Sequence, residues 1–107
     1  MKEDLLKIIK HYGVNAQQRQ FNEETFELQE AIIEYENSGC YDEEDSVEFV
    51  NHIAEEIADV LNLIEQFMYY YDIDFDKEVL EIKHQKVARQ LERIQNEWLF
   101  WLLVTNL

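Results

Sequence analysis

Apolar residues recur along this chain at intervals of three and four, the spacing that places side chains on one face of an α-helix. The sequence contains no proline and two glycines, Gly13 and Gly39, so little interrupts helical structure. We therefore expect an all-α fold: a helical bundle of about four helices per chain, completed by oligomerisation, in a single domain that spans residues 1–107.

The helix boundaries follow from the apolar stripes and from the residues that end them. The expected helices span residues 2–12, 15–37, 46–71 (or 51–71) and 77 onwards. Gly13 and Gly39 act as stop signals for the first two. The acidic run before the third helix suits either a solvated loop or a helix N-terminus. Asp76 is expected to cap the fourth helix.

Some apolar residues lie outside the main apolar face of their helix, where a single chain would leave them exposed. Phe26 and Ile33 lie away from the main stripe of the second helix. The fourth helix carries an apolar seam with alternating spacings of three and four, typical of a bundle or coiled-coil contact. Its members are Leu80, Val87, Leu91, Ile94, Trp98 and Trp101. These surplus apolar faces predict a homodimer or a homotetramer.

The chain is strongly acidic, with 24 Asp and Glu against nine Lys and Arg and a formal net charge of −15. This balance disfavours binding to nucleic acid or to an anionic membrane surface, which both require basic patches. A phosphate-bearing substrate would have to approach through bound cations. The single Cys40 cannot form an internal disulfide, and no signal-peptide pattern is visible, so we expect a cytoplasmic protein.

The chain has two acidic doublets, Glu23-Glu24 and Glu55-Glu56. Another carboxylate follows three residues after the second glutamate of each doublet: Glu27 follows Glu24, and Asp59 follows Glu56. Residues three apart project from the same side of a helix, so each pair converges. Six carboxylate pairs in the chain have this spacing, and roughly five are expected by chance, so spacing alone is uninformative.

The apolar setting distinguishes Glu24 and Glu56 from the other acidic residues. Val60, Leu63 and Phe67 follow Glu56 on its own side of the helix, and Glu24 has a similar apolar face. A carboxylate in such a place must be paired, protonated or bound to a metal. Two hypotheses remain open from the residues alone: salt bridges with Lys or Arg in a helical core, or a site for hard divalent cations.

Lys86, Arg89 and Arg93 share one face of the fourth helix. They can form salt bridges with nearby acids such as Glu92 and Glu97, or they can bind phosphate oxygens. Neither role excludes the other.

Together, these segments resemble the MazG-like branch of the all-α nucleoside triphosphate pyrophosphohydrolases. The resemblance is carried by QQRQFNEETFELQEAI (17–32), EEIADVL (55–61) and KVARQLER (86–93). That family is marked by Glu-x-x-Glu followed by Glu-x-x-Asp, and here 28 residues separate Glu27 from Glu56.

The resemblance implies hydrolysis of a nucleoside triphosphate to the monophosphate and pyrophosphate, as a house-cleaning activity on nucleotide pools. It implies Mg²⁺, with Mn²⁺ as a substitute, and it assigns a role to each matching residue. The implied roles are metal ligation by Glu24, Glu27, Glu56 and Asp59, catalysis by Glu23 or Glu55, phosphate binding by Lys86, Arg89 and Arg93, and base or sugar contacts by Gln17, Gln20 and Asn62.

A second hypothesis comes from another class of protein, a non-catalytic acidic interaction module that mimics the charge of nucleic acid. The size and net charge of the chain permit it. The apolar setting of Glu24 and Glu56 argues against it, because a mimic needs its carboxylates directed outward.

Overall fold

The computed structural model describes residues 1–40 and 42–106. They form four α-helices, and no strand occurs among them. The helices are α1 (Lys2–Tyr12), α2 (Val14–Asn37), α3 (Glu43–Tyr70) and α4 (Leu80–Thr105), with a π-helical turn at Phe75–Val79 directly before α4. The predicted all-α class with four helices is confirmed, and completion of the bundle by oligomerisation stays a prediction.

Gly13 separates α1 from α2 and is the stop signal that the sequence predicted. Its φ of 90° lies in the left-handed region that favours glycine. Its amide N–H donates to the Ile9 carbonyl at 2.8 Å, which satisfies a carbonyl at the end of α1. Because α2 begins at Val14, this one residue makes the whole connection.

The structure corrects the start of α3 and the cap before α4. α3 begins at Glu43, earlier than predicted, because the acidic run forms its first turn, where negative charge suits the helix dipole. Asp76 does not cap the last helix. Asp74 instead caps the π-helical turn that leads into α4, since its Oδ1 accepts from the Lys77 N–H at 3.1 Å, whereas Asp76 lies within that turn. Glu78 reciprocates by accepting from the Asp74 N–H at 2.7 Å.

The chain divides into two compact units, Met1–Asp72 and a second that begins at Ile73. In the first unit, α1 and α2 both pack on α3. The Lys2 ammonium lies 5.5 Å from the centre of the Tyr69 ring, so the start of α1 lies beside the end of α3. The buried apolar core is made by all three helices and consists of Leu5, Ile9, Ala31, Val60 and Leu63.

Contacts between side chains show that α2 and α3 run antiparallel. Near the start of α2, Gln17 bonds to Gln66, and Phe21 packs edge-on against Phe67 with ring centres 5.9 Å apart. Near the end of α2, Tyr35 stacks on Phe49 at 5.6 Å. This register places the middle of α2, which carries Glu24 and Glu27, opposite the middle of α3.

In the second unit, α4 presents the apolar seam that the sequence predicted. Trp98 and Trp101 are each 60% exposed, and Val87 is 49% exposed. Trp98 and Trp101 also contact each other edge-on, with ring centres 6.1 Å apart. Among the described residues, no helix has both the length and the hydropathy needed to cross a membrane.

Candidate functional site

Three of the four carboxylates proposed as ligands converge in the first unit. Glu24 and Glu27 project from α2 and Glu56 projects from α3. One carboxylate oxygen from each lies within 4.8 Å of the others. The convergence arises because the three-residue spacing puts Glu24 and Glu27 on one side of α2, and the antiparallel register brings Glu56 to meet them.

Asp59 lies one turn beyond Glu56 on α3, at the edge of this cluster. Its side chain is exposed. In the antiparallel register it lies across from Glu24, and its negative charge acts on that residue. The fourth proposed ligand therefore borders the cluster, but it does not belong to the set of three converging oxygens.

Glu24 and Glu56 each have one engaged oxygen and one that lacks a partner. Glu24 Oε1 accepts a 2.7 Å hydrogen bond from Gln20, and Glu56 Oε1 lies 3.2 Å from His52 Nε2. The other oxygen of each carboxylate is buried, and within the described part of the chain no group donates to it. A buried acceptor without a donor costs free energy, so these two atoms call for a ligand or a proton.

The electrostatics of Glu24 agree with this geometry. Burial raises the pKa of the Glu24 carboxyl above its usual value of 4.5, the hydrogen bond from Gln20 opposes the rise, and the negative charges of Glu27 and Asp59 reinforce it. Without a cation, the site thus penalises the charged form of Glu24. A bound cation would reverse that penalty.

The salt-bridge hypothesis for these carboxylates is not realised in the first unit. Over residues 1–40 and 42–72, no Lys or Arg forms an ion pair with any of the four carboxylates. The basic residues of this unit all lie exposed on α1 and α2, and they are Lys2, Lys7, Lys10 and Arg19. Among the described residues of this unit, no Lys or Arg therefore pairs with these carboxylates.

The remaining proposed site residues of the first unit have different surroundings. Glu23 and Glu55, proposed as catalytic, are exposed neighbours of the converging glutamates, and Asn62 is exposed one turn beyond Asp59. Gln17 is buried, and its amide donates a 2.8 Å hydrogen bond to Gln66, so this side chain is occupied in holding α2 against α3. Gln20 is occupied with Glu24.

Lys86, Arg89 and Arg93 are exposed on α4 and belong to the second unit. Among the described residues of that unit, none of the three forms an ion pair with Glu92 or Glu97. The predicted local salt bridges are therefore not observed there.

Sequence reasoning missed His52, whose imidazole contacts Glu56. A signal for it was present, because His52 precedes Glu56 by four residues, as Gln20 precedes Glu24. Side chains four apart meet on a helix surface. The matching spacing on the two helices would have identified the pair.

No family model matches the chain, and no curated protein or solved structure matches it significantly. The resemblance to MazG-like enzymes therefore rests on the motifs of this chain alone.

Proposed function

We propose that the protein hydrolyses a nucleoside triphosphate to the monophosphate and pyrophosphate in a reaction that requires Mg²⁺, for which Mn²⁺ can substitute. One observation carries the proposal. Glu24 and Glu56 each have one buried oxygen that lacks a donor among the described residues, and both carboxylates converge with that of Glu27. A module that mimics the charge of nucleic acid would instead need its carboxylates directed outward.

The donor set fits hard divalent cations. Mg²⁺ and Mn²⁺ prefer oxygen ligands, and the cluster offers carboxylate oxygens from two helices. Glu24, Glu27 and Glu56 would hold the ion, and Asp59 would complete the set from the edge. A bound cation supplies neutralisation of the triphosphate and activation of the attacking water.

The other residues have roles that follow from their positions. Glu23 or Glu55, exposed beside the cluster, orients the water for attack at the α-phosphorus. Lys86, Arg89 and Arg93 bind the distal phosphates, because a chain of net charge −15 otherwise repels a triphosphate. Base or sugar contacts fall chiefly to Asn62, since the amides of Gln17 and Gln20 are engaged elsewhere. We place this activity in nucleotide-pool house-cleaning in the cytoplasm.

The test is pyrophosphate release from a panel of ordinary and modified nucleoside triphosphates, with Mg²⁺, with Mn²⁺ and with EDTA. We expect the monophosphate and pyrophosphate with either metal and no turnover in EDTA. Glu56→Gln should lower turnover by more than about 100-fold, since even losing an outer partner of a metal ligand costs about 10- to 100-fold. Glu48→Gln, an exposed glutamate on the same helix, serves as the matched control and should retain activity.

Two outcomes would overturn the proposal. Release of orthophosphate would mean cleavage at the terminal phosphate and a different reaction. If no triphosphate is hydrolysed with either metal, the acidic interaction module becomes the better account.

A further inference from the structure

Glu24 and Glu56 are partly buried and have matching neighbours on different helices. On α2, Gln20 lies four residues before Glu24 and donates to its Oε1 at 2.7 Å. On α3, His52 lies four residues before Glu56, and its Nε2 is 3.2 Å from Oε1 of that carboxylate. In both cases Oε2 is the oxygen that remains buried without a donor among the described residues.

We propose that His52 is a positioning residue for Glu56 and that, paired with Gln20 on the opposite helix, it turns the free carboxylate oxygen toward the point where a divalent cation binds. This inference rests on the proposed cation site. It assigns His52 a role outside the carboxylate set itself, acting on the metal through the ligand it contacts.

The physical reason is the freedom of a glutamate side chain, which has three rotatable bonds and two equivalent oxygens. A donor on Oε1 favours one orientation of the carboxylate, so less conformational entropy is lost when Oε2 binds a cation. Outer partners of this kind orient metal ligands in many proteins. Nε2 can donate in the imidazolium and in the neutral tautomer that carries its proton on Nε2.

The different exposure of the His52 and Glu56 side chains distinguishes a positioning role for His52 from a packing role. His52 is 47% exposed, while Glu56 is 12% exposed. Replacing the imidazole therefore removes few core contacts but frees the carboxylate that it touches. The predicted effect is on cation affinity, with little effect on the stability of the cation-free fold.

The experiment compares His52→Leu, which lacks a donor, with His52→Gln, which restores the amide found at the matching place on α2. His11→Leu changes an exposed histidine on α1 and is the control. For each full-length variant, thermal melting is followed as Mg²⁺ is titrated, and melting is repeated in EDTA. The half-saturating Mg²⁺ concentration is the quantity compared.

We expect His52→Leu to raise the half-saturating Mg²⁺ concentration by on the order of 10-fold or more. His52→Gln should stay close to wild type, and so should His11→Leu. All four proteins should melt at similar temperatures in EDTA. A merely structural role would instead lower the melting temperature in EDTA and leave the Mg²⁺ midpoint unchanged.

An unchanged midpoint in His52→Leu overturns the inference. A midpoint raised equally in His52→Gln and His52→Leu also overturns it, because the imidazole would then be a direct ligand. If wild type itself gains no Mg²⁺-dependent stability that Glu56→Gln removes, the cation site fails and the inference fails with it. If wild type binds Mg²⁺ as expected but hydrolyses no triphosphate, the proposed function fails while the positioning role stands.

Discussion

Gln17 and Gln66 form a buried hydrogen bond of 2.8 Å between α2 and α3. Each side chain is less than a tenth exposed, at 7% and 4%. A polar pair in an apolar interface is satisfied in one register of the two helices and is costly in any other. The bond therefore fixes the alignment that brings Glu56 opposite the carboxylates of α2.

Replacing one glutamine of this pair should destabilise the fold more than replacing both. Gln17→Leu leaves the Gln66 amide buried without a partner, which costs about 1–3 kcal/mol in the free energy of unfolding. In the double variant Gln17→Leu with Gln66→Leu, most of that loss should be recovered. Urea unfolding measures both, with Gln18→Leu, an exposed neighbour on α2, as the control. A Gln17→Leu variant of unchanged stability but weakened nucleotide binding would instead favour a substrate contact.

Divalent cations should stabilise the folded chain through the converging glutamates. A ligand that binds only the folded state at 100 times its dissociation constant adds about 2.7 kcal/mol. The melting temperature of wild type should therefore rise with Mg²⁺ or Mn²⁺, and much less in Glu56→Gln. Glu48→Gln should respond as wild type does. An equal rise in all three proteins would show that the ions bind the general acidic surface.

The pKa of Glu24 predicts a pH trend for the cation-free protein. The carboxyl has a higher pKa in the folded state than its usual 4.5, so the fold holds this proton more tightly than the unfolded chain does. Its contribution to stability is full below 4.5 and is lost as pH rises through the folded pKa. In EDTA, the stability of wild type relative to Glu24→Gln should thus fall as pH is raised toward neutrality.

Urea unfolding at a series of pH values in EDTA measures that difference. A parallel series with Glu48→Gln corrects for the loss of one negative charge from an acidic chain. The prediction would be contradicted if the difference in free energy of unfolding between wild type and Glu24→Gln stayed constant across the series. It would also be contradicted if wild type gained stability relative to Glu24→Gln as pH rises.

Arg89 and Arg93 test whether α4 contributes to phosphate binding. A hydrogen bond to a charged group contributes about 1.5–3 kcal/mol, so Arg89→Ala or Arg93→Ala should weaken use of a triphosphate by that amount in kcat/KM. The effect should be smaller for a diphosphate. Arg19→Ala, which removes an exposed arginine from α2, is the control. Equal losses of kcat/KM for the triphosphate and the diphosphate would contradict a role of these arginines in binding the distal phosphates.

The exposed seam of α4 predicts self-association. Trp98 and Trp101 are each 60% exposed on a helix that carries an apolar row along one side, and such faces are usually covered by a partner. Sedimentation at micromolar concentration should show a dimer or tetramer for wild type, and Trp98→Glu should shift it toward monomer. A clean monomer for wild type would contradict the prediction.

Sequence periodicity was enough to predict the four helices, because apolar stripes and Gly13 act locally. It could not place the start of α3, since an acidic run fits both a loop and a first helical turn. It wrongly predicted Asp76 as the cap of the last helix, because a π-helical turn precedes α4 and Asp74 caps that turn. Local patterns do not reveal such a change of helix type.

For the site, spacing predicted which side chains of one helix would point together. The rule applies equally to five other carboxylate pairs of the chain, and it places Glu24 and Glu27 together. Their meeting with Glu56 depends on the register of α2 against α3, and that register is set by contacts such as Gln17 with Gln66, which are 49 residues apart. Sequence reasoning named Glu56 through its matching motif, but without a register it could not show which carboxylate oxygens lack a donor among the described residues.

The connection at Gly13 has a consequence for how this chain tolerates change. A Cβ built at position 13 would meet no atom within 4 Å, so there is open room for a side chain. The backbone nevertheless holds φ at 90° and ψ at 155°, a conformation almost restricted to glycine. A saturation screen should therefore find a position that is spacious yet intolerant, because its constraint lies in torsion angles and not in neighbours.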